Sequence, residues 1–148
     1  MIFDSCIWVA LAAGQLDRQA VIDAAGEEPV FTSVIALGEL RFGAEVCADP
    51  AERARRAAYL RQIEDRPILP VTSHTAAAFG VLAATVKLSG RSPRPSYNDL
   101  WIAAQAIEHG HTLLTLNSAD FADLPGLRIL PLARRGIHEP RPPESPRA

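Results

Sequence analysis

Cysteine is scarce in this sequence: only Cys6 and Cys47 occur, and neither sits in a CxxC pair or at a ligand spacing from histidine. That excludes a disulfide framework and a Cys/His zinc site, and both thiols are expected to be reduced and buried. Long apolar runs are missing too. None reaches the roughly 18 residues that a membrane span requires. The opening Met1-Ile2-Phe3-Asp4 has an acid where a secretory leader carries basic residues, so a soluble, cytoplasmic protein is expected. Lysine is nearly absent. Lys87 stands alone and every other basic side chain is arginine. Arginine suits phosphate through its bidentate fork, but a net charge of −2 does not establish nucleic-acid binding, and biased codon usage explains the preference equally well. No internal repeat and no glycine-rich dinucleotide fingerprint is present.

What remains is a chain of 148 residues, 48% hydrophobic, with a mean hydropathy of +0.05, the size of one domain. Apolar runs bounded by turn residues alternate with helical stretches. Met1–Phe3 reads as a strand, Cys6–Ala13 as a helix stopped by Gly14, and Leu16–Ala25 as a second helix. Pro29–Thr32 predicts a strand, with Ser33 capping a helix to about Ala44. A helix over Ala51–Ile63 follows. The prolines at 67 and 70 confine the third strand to an edge, and Thr72 or Ser73 caps a long helix ending near Gly90. Tyr97–Glu108 is helical behind Ser96, His111–Leu116 is a fourth strand, and Leu127–Leu130 is a last one. Strand and helix in alternation predict an α/β fold: a three-layer α/β/α sandwich around a mostly parallel central sheet of four to five strands. It should occupy residues 1–132, leaving 133–148 as a disordered tail rich in proline and arginine.

Open parallel sheets bind ligands at the carboxyl ends of their strands, and acids stand at three such places: Asp4, Asp99 and Asp120. Each also has a capping role available, including a box between Ser96 and Asp99. Glu39 is different. At 100° per residue it shares a helix face with Ile35, Ala36, Phe42, Gly43 and Val46, an apolar stripe. Asp99 shares one with Ile102, Ala103, Ala106 and Gly110. Two carboxylates pointing inward from two helices need a shared counter-charge, either an arginine or a hard divalent ion such as Mg²⁺ or Mn²⁺ bound through oxygen alone. Carboxylates that hold one or two such ions support water activation and phosphodiester hydrolysis. A dehalogenase-type phosphatase is disfavoured because Cys6 stands where it needs a second acid. A receiver domain is disfavoured because it needs a lysine after a late strand.

The segments Phe3-Asp4-Ser5-Cys6, Ala36–Ala44, Asn98-Asp99-Leu100-Trp101-Ile102-Ala103-Ala104 and Thr115-Leu116-Asn117-Ser118-Ala119-Asp120-Phe121 together resemble the PIN-domain family. Within it they resemble the VapC toxins of bacterial type II toxin–antitoxin pairs. The resemblance spans about residues 1–132 and implies a metal-dependent endoribonuclease with Asp4, Glu39, Asp99 and Asp120 as its acidic set and Mg²⁺ or Mn²⁺ as cofactor. It further implies Ser5 and Asn117 as supporting polar residues, a homodimer, and a VapB-like antitoxin whose C-terminal segment lies across the active-site groove. Cys6 falls where the family admits asparagine, serine or cysteine, and no polar contact is expected of it. Arg91 and Arg94, in the loop before Asp99, are the candidates for the RNA backbone. Arg53 and Arg56 share a helix face that Arg55 does not, so that helix carries no single basic stripe. The alternative from another class is a catalytically weak module that acts by occupying RNA or antitoxin.

Overall fold

A computed structural model describes residues 1–133. The expected tail lies outside the described residues from position 134 onward. Five strands, β1 (Ile2–Phe3), β2 (Phe31–Ser33), β3 (Ile68–Leu69), β4 (Thr112–Thr115) and β5 (Arg128–Pro131), form one sheet in the order β3-β2-β1-β4-β5. Every pairing is parallel, as helical crossovers demand. Seven helices connect and cover it: α1 (Ser5–Ala12), α2 (Arg18–Ala25), α3 (Val34–Glu45), α4 (Pro50–Glu64), α5 (Ser73–Leu88), α6 (Tyr97–Glu108) and α7 (Ser118–Phe121).

The central strands alternate their side chains between two cores, as a pleat dictates. Phe3 and Leu114 join the core under α1, α2 and α4, with Ile7, Trp8, Leu60 and Ile63. Ile2 and Leu113 join the opposite core, with Leu82, Leu100, Ile102 and Phe121. The result is the three-layer sandwich that the sequence predicts. Proline falls where strands tolerate it: Pro67 and Pro70 flank the edge strand β3, and Pro131 ends the edge strand β5.

Helix starts follow their caps. The Ser33 hydroxyl accepts from the N–H groups of Ile35 and Ala36, and Thr72 and Thr75 form a reciprocal capping box at the start of α5. Four expectations need correction. The second helix begins at Arg18, because the Asp17 carboxylate accepts from Gln19 and caps it there. Ser96 makes no side-chain cap, so the Ser96–Asp99 box does not form. Residues 118–121, read as loop, make the short α7. Cys6 and Cys47 are free thiols as expected, but both are partly exposed.

Candidate active site

The sheet order reverses at β1, whose two neighbours are β2 and β4. Crossovers leave in opposite senses from that strand, which opens a crevice at the carboxyl ends of β1 and β4. Asp4 follows β1 directly and is only 2% exposed. Its N–H still bonds the Leu114 carbonyl at 3.0 Å, so the residue is anchored in the ladder. Although it occupies the N-cap position of α1, its side chain caps nothing. Oδ2 instead accepts from Thr115 Oγ1 at 2.7 Å and from Cys6 Sγ at 3.1 Å, while Ser5 Oγ reaches Oδ1 at 3.4 Å. Thr115, fully buried at the end of β4, also accepts the Asn117 N–H at 3.1 Å. Cys6 Sγ takes the Leu116 N–H at 3.5 Å.

The Cys6 thiol therefore makes the polar contact that was not expected of it. Burial, and then the Asp4 charge, push its pKa up to about 11. It remains a protonated donor at neutral pH rather than a nucleophile.

Glu39 projects from α3 toward α6. Its Oε1 accepts from Asn98 Nδ2 at 2.8 Å, and its Oε2 is buried without any partner. The stripe expected around it is only partly internal: Ala36 is buried, whereas Phe42 and Val46 are 68% and 62% exposed. Glu39 thus lies at the border of the core, half-buried beside a solvent-facing edge. Asp99, one residue beyond Asn98, is also half-buried. Its pKa is pushed up to about 6 by burial first, and then by the negative charges of Asp4, Glu39 and Asp120. Four acids from β1, α3, α6 and α7 thus act on one point. Asp120 and Asn117 are exposed at the mouth, and the Asn117 side chain caps nothing.

No arginine, lysine or histidine among the described residues comes within ion-pair distance of these four acids. A structural ion pair is thereby removed as their explanation. Nor do three of their side chains stand as a ready-made ligand set among the described residues. The donor chemistry nevertheless fits a hard divalent ion, because every candidate ligand is a carboxylate oxygen and the orphaned Glu39 Oε2 is a buried acceptor in want of a cation.

The arginines separate clearly. Arg53 donates twice to the Cys47 carbonyl and Arg56 to that of Gly43, while Arg55 and Arg56 share the Glu52 carboxylate. Arg91 leans on Ser89, and Arg94 opens a 3-10 turn over 94–96; neither contacts an acid. Sequence reasoning missed Thr115 and Asn98. Thr115 was findable as the last polar position of a strand ending beside Asp4, whereas Asn98 carries no signal beyond preceding an acid.

A PIN-domain family model matches residues 1–127. The chain belongs to the PIN-domain family. Among curated proteins it is 34% identical over 134 residues to ribonuclease VapC5 of Mycobacterium tuberculosis, covering 90% of this chain and 93% of that one. Ribonuclease VapC4 of the same organism is 33% identical over 98 residues, covering 66% and 73%. Among solved structures, VapBC-5 from M. tuberculosis, a member of the VapBC family of toxin–antitoxin systems, aligns with a TM-score of 0.73 at 31% identity, covering 88% of this chain and 97% of that one. The VapBC2 structure from Rickettsia felis aligns with a TM-score of 0.76 at 23% identity, covering 89% and 99%, and supports the fold. Among the described residues no helix is long and apolar enough to cross a membrane.

Proposed function

We propose that the chain is a metal-dependent endoribonuclease, the toxin of a type II toxin–antitoxin pair, acting on cytoplasmic RNA. The observation that carries this reading is the convergence of Asp4, Glu39 and Asp120 on Asp99, with no basic residue between them and one buried oxygen left unpaired. Asp4, Glu39 and Asp99 would hold Mg²⁺ or Mn²⁺, and Asp120 would complete the site or serve a second ion. Such an ion supplies an activated water and offsets charge on the scissile phosphate. The protein's part is orientation. Thr115, Cys6 and Ser5 hold the Asp4 carboxylate, Asn98 fixes one oxygen of Glu39, and Asn117 lies at the mouth. Arg91 and Arg94, exposed in the loop before α6, would take the RNA backbone.

The relatives solved as VapBC complexes support a VapB-like partner whose C-terminal segment covers this site, and the family resemblance supports a homodimer. The test is cleavage of single-stranded RNA by the purified chain with Mg²⁺ or Mn²⁺, abolished by chelator and by Asp4→Asn or Asp99→Asn in folded protein. RNA binding without any scission would replace the enzyme with a module that acts by occupancy.

A further inference from the structure

A trough runs away from the carboxylates, lined throughout by α1 and α4. Its near half, about 270 Å³, includes Ser5, Val9, Glu39 and Leu60. Its far half, about 190 Å³, includes Trp8, Val21, Arg18 and Arg66, and the two halves share Tyr59 and Ile63. The rims are apolar and open: Val9 is 54% exposed and Ile22 is 56% exposed. The floor from Glu52 to Arg66 is about 20 Å long at 1.5 Å per residue.

The two ends differ in sign. At the near end stands Glu39, one of the four acids. The far half contains no carboxylate at all. Arg41, Arg53, Arg55, Arg56 and Arg128 are engaged by carboxylates or main-chain carbonyls. Arg18 and Arg66 have neither. The Arg66 guanidinium is held over the Trp8 ring, 5.5 Å from its centroid, and both arginines bear electrostatically on Tyr59 in the wall. A guanidinium held in place beside a second one is a bidentate acceptor's counterpart.

We propose that the trough receives a partner segment of fixed polarity: an acidic side chain between Arg18 and Arg66, apolar side chains against α1 and α4, and a basic side chain at the carboxylate end. This rests on the toxin–antitoxin reading above and adds to it the acid and the direction. The two charges are separated by about six residues if the segment is extended and about 13 if it is helical.

The probe is a random 12-residue peptide library selected on the immobilised full-length chain, with recovered peptides assayed for binding and for block of RNA cleavage. Blocking peptides should carry Asp or Glu at a constant spacing from an apolar pair. Their dissociation constants should rise about tenfold or more on R18A/R66A, and equally on Glu→Gln in the peptide, with no further loss when the two are combined. R66E should recover binding to the peptide bearing Glu→Lys. Cleavage without peptide should be unchanged in R18A/R66A. Blocking peptides without an acid, bound equally by wild type and R18A/R66A, would overturn the polarity and leave the partner reading standing. A chain that cleaves RNA but yields no blocking peptide overturns both.

Discussion

At the scale of single residues, the half-buried Asp99 carries the site's electrostatics. Its pKa of about 6 lies above the ordinary 3.8, so the metal-free native state binds protons more tightly than the unfolded chain. The stability this gives is complete below about pH 4 and is lost as pH rises through 6. Calorimetry in chelator should therefore show the melting temperature falling across that window, with a shallower fall for Asp99→Asn and a higher melting temperature for that variant at pH 7.5. Thr115→Val is the complementary test. It removes the donor to Asp4 and the acceptor of the Asn117 N–H, and loss of such an outer partner should weaken Mn²⁺ binding, read by titration calorimetry, by roughly 10- to 100-fold. All four acids were legible in the sequence, because each follows a strand or sits against small apolar neighbours on a helix. Asn98 and Cys6 were not, since a side chain's hydrogen-bond partner on another element depends on helix rotation and depth, which periodicity leaves free.

At the scale of elements, the fully buried Gln105 ties α6 to its neighbours. Its amide accepts from the Ser33 hydroxyl that caps α3, and donates to the carbonyls of Leu69 and Pro70, each at 2.8 Å, at the end of β3. Gln105→Leu strands these buried groups at about 1–3 kcal/mol each, so urea unfolding should show a loss of about 3 kcal/mol. The arginines of α4 test the opposite expectation. Arg53 closes the carbonyl of Cys47 just past α3, so Arg53→Ala should cost about 1 kcal/mol and leave the RNA cleavage rate unchanged. Strong caps and glycine stops made most element bounds readable: Gly110, at φ 65°, ends the turn after α6 where the sequence expects a stop. The single-turn α7 was unreadable because four residues cannot display a period.

At the scale of the molecule, the parallel sheet was legible from the alternation of strand and helix, and the edge positions of β3 and β5 follow from their prolines. Which strands lie side by side was not legible, because a run of apolar residues does not name its neighbour. That order places the acids from four elements around one crevice, and an ion held there links them. Mn²⁺ at about 100 times its dissociation constant should stabilise the folded chain by about 2.7 kcal/mol, seen as a melting shift that Asp4→Asn largely abolishes. The same strand order has a consequence in time. Ile2 and Phe3 lie between Phe31–Thr32 on one side and Leu113–Leu114 on the other, so the second strand emerging from a ribosome pairs early while the opposite flank waits for most of the chain. Until residue 115 has cleared the exit tunnel, the crevice has one wall, Asp4 lacks its threonine, and a nascent chain of this kind has no finished blade with which to harm the cell that is making it.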